Sequence, residues 1–140
     1  MPNIDSLIYD RTSTDIANKT TKGLWNYTDM NRVESWCQYL ATELTSYNYP
    51  VTITTKTNWA RSSKRTSADM ERVRSNIKKL KDAFYSFTNI YSNAEDFDYL
   101  KANNWEKILH EIDELYEKMK AEFLYSGTFY SGESEGLFWV

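Results

Sequence analysis

A short pattern that occurs three times restricts this chain to a small set of folds. DMNRV at Asp29–Val33 returns as DMERV at Asp69–Val73, and a looser copy follows as NWEKI at Asn104–Ile108. Each copy opens a stretch in which apolar residues recur three and four positions apart, the spacing of an amphipathic helix. The same local code therefore predicts three helix starts.

The apolar periodicity sets the expected limits of these helices. The first is predicted over Thr28–Tyr47. A capping box at Thr66–Asp69 predicts the start of the second, and its apolar series continues through Phe87. Asn103–Glu106 is predicted to cap the third, whose apolar series runs to Phe123. Three amphipathic helices of about this length predict a mainly α fold, a three-helix bundle.

At 140 residues the chain is expected to form one domain around a single core. We divide it into an N-terminal lead with a short helix over residues 1–27, the bundle over residues 28–125, and an extended C-terminal docking tail over residues 126–140. Within the lead, Thr12–Asp15 resembles a capping box and Gly23 is a plausible stop.

Short extended or β segments are predicted near residues 4–9, 51–55 and 127–140. Residues 51–55 are rich in β-branched side chains in an alternating pattern, which indicates a strand or an extended bridge. Trp59 is expected to plug the core from this connection. The connections are longer than those usual between helices, which suggests that they have a role of their own.

The C-terminal tail closes in four large apolar residues, whereas chain ends are usually polar. We expect this end either to fold back as a strand on residues 51–55 or on the lead, or to insert into a partner. The candidate partner-binding residues are Phe129, Tyr130, Leu137, Phe138, Trp139 and Val140.

Charge is unevenly distributed along a chain whose net charge is −3. Residues 56–81 carry nine Lys or Arg against two acids, and residues 92–140 carry four against eleven. A basic helix beside an acidic one explains this distribution. A nucleic-acid patch is the sharper alternative, with Arg61, Lys64 and Arg65 as its candidate polyanion contacts. A solvated loop is the simpler explanation of these three residues.

No pattern in the chain carries a catalytic or metal-binding signature. His110 is the single histidine and Cys37 the single cysteine, so neither a usual zinc site nor an intrachain disulfide can form. We therefore expect no enzyme activity, no cofactor and no metal. The N-terminus lacks a signal-peptide pattern, and no stretch approaches the ~20 apolar residues of a membrane span, so synthesis in the cytoplasm without membrane insertion is expected.

Six phrases in order resemble a module of structural proteins from phages and prophages of Gram-positive bacteria, usually tail-associated. They cover most of the chain and comprise Leu7–Thr12, Asp29–Glu34, Thr54–Trp59, Met70–Val73, Glu106–Leu109 and Ser126–Gly132. The resemblance implies a virion component, a tail or baseplate adaptor without catalytic residues. It also implies that the partners are other virion structural proteins in a symmetric oligomeric assembly, and that the protein resides in the virion.

Two other functions stay open at this point. Eleven Tyr and five Trp exceed what a small core needs, so a host-surface or carbohydrate-binding module of a tail fibre is one alternative. A nucleic-acid-binding accessory protein that uses residues 56–81 is the other, and its affinity would fall steeply with salt.

Overall fold

The computed structural model describes the backbone of residues 6–131 and the side chains of residues 6–122. This part of the chain is mainly helical, as predicted, and no strand occurs in it. Its four helices are α1 (Ser13–Ala17), α2 (Tyr27–Ser46), α3 (Ser67–Ala83) and α4 (Tyr99–Ser131).

The first three helices start with capping boxes. Thr12 caps α1 with Asp15 as its reciprocal partner, and Thr66 caps α3 with Asp69, both as predicted. Asn26 and Asp29 form the same arrangement at α2. Each box satisfies backbone N–H groups that the first helical turn leaves unpaired, which fixes where the helix begins.

The predicted cap of the third long helix is wrong. Helix α4 already begins at Tyr99, where the Asp98 carboxylate accepts a hydrogen bond from the backbone N–H of Lys101 at 3.0 Å. Asn103 and Glu106 therefore lie inside the helix. They bind the N-terminal lead instead, through Arg11 and Ile8.

The three long helices run in the same direction. Near their starts, Arg32 of α2 binds Glu106 of α4. Further along both helices, the Tyr116 hydroxyl of α4 donates to the Glu43 carboxylate of α2 at 2.9 Å. Helix α3 follows the same order, because its Arg72 binds Glu34 near the start of α2. Its C-cap residue Phe84 contacts the Tyr116 ring at 6.4 Å.

Parallel helices explain the long connections. Helix α2 has 20 residues and is about 30 Å long, so the chain must travel back that distance before α3 can start beside it. Two connections lead the chain back. We call residues 47–66 the first return segment and residues 84–98 the second return segment. Each of the three long helices contacts the other two.

Residues 51–55 do not form a strand. The Val51 N–H donates to the Thr45 hydroxyl, and the Thr54 carbonyl accepts from the Asn76 side chain at 2.7 Å. These backbone groups are thus bonded to side chains of the adjacent helices, so the segment is an irregular bridge. Of the predicted segment at residues 4–9, residues 7–9 show no regular structure, and residues 4 and 5 lie outside the described part.

The third residue of each repeat fixes one irregular segment. Asn31 accepts from the Trp59 N–H at 2.8 Å, Glu71 from the Ala94 N–H at 3.1 Å, and Glu106 from the Ile8 N–H at 2.9 Å. Beside each of these hydrogen bonds, an apolar side chain of the irregular segment is buried in the core. These side chains are Trp59, Ala94 and Leu7. The prediction that Trp59 plugs the core is confirmed. The repeat therefore specifies both a helix start and the attachment of a connection.

The core follows the predicted apolar series except near the helix ends. Cys37 is buried, and burial raises the pKa of its thiol. Phe87 is 70% exposed, contrary to prediction, because α3 ends at Ala83 and the chain turns away. In α4, Tyr116 is fully buried whereas Leu115 is half-buried.

Glu106 is fully buried and neutralised by two arginines. Its Oε1 accepts from Nε of Arg32 at 2.8 Å, and its Oε2 accepts from Arg11 at 2.7 Å and from Arg32 at 2.9 Å. The Ile8 N–H supplies a fourth hydrogen bond. A buried carboxylate is tolerated when its lone pairs are filled and its charge is balanced, and both conditions hold here.

Replacing Glu106 by Gln should therefore destabilise the protein strongly. Arg11 and Arg32 would then have Asp29 as their one remaining ion-pair partner among the described residues, at a cost of about 3 kcal/mol in the free energy of unfolding. Urea denaturation followed by circular dichroism measures this cost. The matched control is Asp82→Asn, which makes the same chemical change in the exposed Lys78–Asp82 pair and should cost at most about 1 kcal/mol. Equal costs in the two variants would contradict the assigned role of Glu106.

Candidate functional site

The starts of the three long helices gather at one end of the molecule, which we call the capped end: Tyr27, Ser67 and Tyr99 with their capping residues. Parallel helices bring the positive ends of their dipoles together there. Asp29, Asp69 and Asp98 lie at these starts and offset part of that charge.

A pocket opens at the capped end, between the entry to α2 and the end of the first return segment. We call it the Trp25–Trp59 pocket, and its volume is about 370 Å³. That volume lies at the lower end of the range for ligand sites. Its lining residues are Trp25, Asn26, Tyr27, Met30, Trp59, Ala60, Arg61, Ser63 and Arg65.

One wall of the pocket is held rigidly by Trp59. Asn31 binds both the N–H and the carbonyl of Trp59, and the indole Nε1 donates to Glu34 at 2.6 Å. Glu34 is fully buried and paired with Arg72, and Lys56 lies 4.2 Å from the Trp59 ring. The wall is therefore fixed by hydrogen bonds on both its backbone and its side chain.

Trp25 forms another part of the pocket lining. Its ring packs edge-on against Phe97 at 5.0 Å and Trp105 at 6.2 Å, and the Arg11 guanidinium lies 5.3 Å from it. The Trp25 Nε1 is buried and has no hydrogen-bond partner among the described residues. The aromatic rings of Trp25, Tyr27 and Trp59, together with Met30, line the pocket with apolar surface.

Two of the three predicted polyanion contacts lie at this pocket. Arg61 and Arg65 line it and are exposed, whereas Lys64 is exposed without lining it. Within the described part of the chain, none of the three forms an ion pair closer than 4 Å. Partial desolvation lowers the pKa of Arg65, and the Asp29 carboxylate offsets that effect in part. The pocket thus combines an apolar interior with a cationic rim.

Sequence reasoning missed Trp25 and Met30 as members of a site. The residues Trp25–Tyr27 span the start of α2 and could have indicated an aromatic group at a helix entry. Their proximity to Trp59 was not readable, because it depends on the first return segment running back along α2.

The predicted C-terminal contacts are only partly within the described residues. Phe129 and Tyr130 belong to α4, so the extended prediction is wrong for residues 127–131. One glycine costs a helix only about 1 kcal/mol, which the continuing backbone hydrogen bonds outweigh. The side chains of Phe129 and Tyr130, and residues Leu137, Phe138, Trp139 and Val140 altogether, lie outside the described part.

A second concave surface contains a buried acid. It has a volume of about 630 Å³ and includes Phe87, Leu115 and Asp113. Asp113 is 2% exposed, and its Oδ1 has no hydrogen-bond partner among the described residues. Burial, with help from the neighbouring Glu117, raises the pKa of Asp113 to about 6.

Neither surface carries a recognisable catalytic arrangement of side chains. Among the residues described, no group of three or more His, Cys, Asp or Glu side chains could hold a metal ion. His110 contacts Tyr9 and Glu114 on the surface of α4. None of the described helices is long and apolar enough to cross a membrane.

Comparisons of the chain with known protein families, curated proteins and solved structures found no match.

Replacing Asp113 by Asn should stabilise the protein near neutral pH. The folded state raises the pKa of Asp113 from 3.8 to about 6, so it holds an extra proton between those values and loses stability as the pH rises through them. With allowance for solvent screening, Asp113→Asn should gain about 1 kcal/mol at pH 7.5. The gain should shrink toward pH 4.

Urea denaturation of both proteins at several pH values measures this difference. Glu122→Gln serves as the control, because it removes an exposed carboxylate of the same helix more than two turns away from Asp113, and its effect on stability should vary much less with pH. A constant difference for Asp113→Asn between pH 4 and 7.5 would exclude the raised pKa.

Proposed function

We propose that this protein is a structural component of a bacteriophage virion, an adaptor of the tail or baseplate that docks to neighbouring subunits. The observation that carries the proposal is the resemblance of six phrases, in order, to tail-associated structural proteins. The structure supports a structural role for two of these six segments. Residues of Leu7–Thr12 and of Thr54–Trp59 are anchored to Glu106 and to Asn31 with Glu34, respectively.

The proposal includes a rigid body, with α2, α3 and α4 forming a three-helix bundle. Buried carboxylates support rigidity, since Glu34 and Glu106 each join two long helices and one irregular segment. Hydrogen bonds of this kind hold connections that would otherwise move freely. A body of this kind suits a protein that fixes the spacing between neighbours.

Exposed aromatic residues support docking to other subunits. Phe87 is 70% exposed and Tyr85 52% exposed, and their rings pack edge-on at 5.1 Å. Tyr91 and Leu100 are also large and exposed. Aromatic residues are enriched in protein interfaces, where they bury much area with little loss of conformational freedom. The proposed partners are other virion structural proteins in a symmetric assembly.

Mass spectrometry of purified phage particles tests the virion assignment. Particles produced by the strain that carries the gene should contain the protein in fixed proportion to the other structural proteins through successive density gradients. Cross-linked peptides should join it to a neighbouring subunit. Absence of the protein from particles that contain the remaining tail proteins would overturn the proposal.

Deleting residues 136–140 should reduce incorporation into particles at least tenfold while leaving the circular dichroism of the purified protein unchanged. The deletion removes four of the six proposed contact residues and none of the described helices. A matched control is Lys78→Ala, which alters an exposed residue of α3 and should be incorporated normally. Normal incorporation of the shortened chain would remove the tail from the interface.

A further inference from the structure

The Trp25–Trp59 pocket has a specific chemical preference. Its aromatic and Met30 surfaces favour large apolar side chains, whereas the exposed Arg61 and Arg65 at its rim favour acids. Neither arginine pairs with a described carboxylate. The expected ligand is therefore a peptide in which acids stand next to bulky apolar residues.

The chain itself contains such a peptide. Residues 133–140 read ESEGLFWV, with acids at Glu133 and Glu135 followed by four large apolar residues at Leu137–Val140. The two acids could pair with the arginines at the rim of the pocket, while the apolar residues that follow them could enter its aromatic interior. Two or three of these apolar side chains would fill a volume of about 370 Å³.

The segment cannot reach the pocket of its own chain. The pocket lies beside Trp105, since the Trp25 ring is 6.2 Å from the Trp105 ring. Ser131, the last residue of α4, is 26 residues further along that helix, or about 39 Å away at 1.5 Å per residue. The nine residues from Ser131 to Val140 span at most about 32 Å when fully extended, and Leu137 reaches only about 20 Å.

We propose that the Trp25–Trp59 pocket binds residues Glu133–Val140 of a second copy of the chain, so that copies join head to tail. The two surfaces in this contact differ, so the contact is heterologous and each copy still offers one free pocket and one free tail. Such contacts build rings or open filaments. The proposal does not require the virion function, because self-association is measured on the purified protein alone.

Sedimentation velocity over a range of concentrations tests the proposal with full-length variants. The pocket variant carries Arg61→Glu and Arg65→Glu, and the tail variant carries Phe138→Ser and Trp139→Ser. Wild type should form oligomers as its concentration rises, and each variant should associate at least tenfold more weakly. A control with Lys78→Glu and Lys79→Glu makes the same charge change on exposed positions of α3 and should associate like wild type.

Mixing the two variants distinguishes this contact from others. The pocket variant still has a tail, and the tail variant still has a pocket, so an equimolar mixture should form dimers that do not grow further. A contact made of one patch against the same patch would not recover in this way. Failure of the mixture to dimerise, when both variants retain wild-type circular dichroism, would overturn the proposal.

A charge exchange tests directly whether the rim arginines pair with the tail acids. The tail variant keeps the test decisive if the pocket variant folds poorly, because its substitutions leave the pocket unchanged. A chain that combines Arg61→Glu and Arg65→Glu with Glu133→Lys and Glu135→Lys should regain association to within about threefold of wild type. Association that stays lost in this chain would overturn the charge pairing. A wild-type protein that is monomeric at every concentration, or pocket and tail variants that associate like wild type, would exclude the head-to-tail contact. Neither outcome of these association measurements bears on whether mass spectrometry detects the protein in phage particles.

Discussion

Most of the architecture depends on the buried carboxylate of Glu106 and the two arginines that neutralise it. Arg11 belongs to the N-terminal lead and Arg32 to α2, whereas Glu106 belongs to α4. One fully buried charge therefore ties three separate parts of the chain at the capped end. A charge in that place is tolerated only with both partners present, so the cluster sets the register of α2 against α4 as well as the position of the lead.

The second constraint is the common direction of the three long helices. Antiparallel neighbours need only short turns, but parallel ones need a connection as long as a helix. Such connections expose many backbone polar groups, and the protein satisfies part of them with side chains of the repeat, at Asn31, Glu71 and Glu106. The arrangement also brings three helix starts together, and the Trp25–Trp59 pocket lies beside the starts of α2 and α3. The geometry of the fold thus creates the surface that we propose for docking.

The success of sequence reasoning differed between local and long-range features. Capping at Thr12 and Thr66 was predictable, because a cap involves residues only three positions apart. The end of α3 was not, since Phe87 continues the apolar spacing although the chain has already left the helix. Asn103 and Glu106 matched a cap by spacing, yet their partners lie in the N-terminal lead. In the candidate site, the charge distribution of the sequence indicated Arg61 and Arg65, whereas no sequence pattern indicated Trp25.

The amino-acid order by itself determined that the described part of the chain is mainly helical, where the helices α1, α2 and α3 begin, and most of the apolar side chains that α2 and α3 bury. Those features depend on hydrogen bonds and apolar spacing within a few turns. Only the tertiary structure decided that the long helices are parallel, that Asp113 is buried, and that Trp25 and Trp59 line one pocket together with Arg61 and Arg65. These features depend on residues that are far apart in the chain. Their contributions to the free energy of folding arise only once the helices have packed.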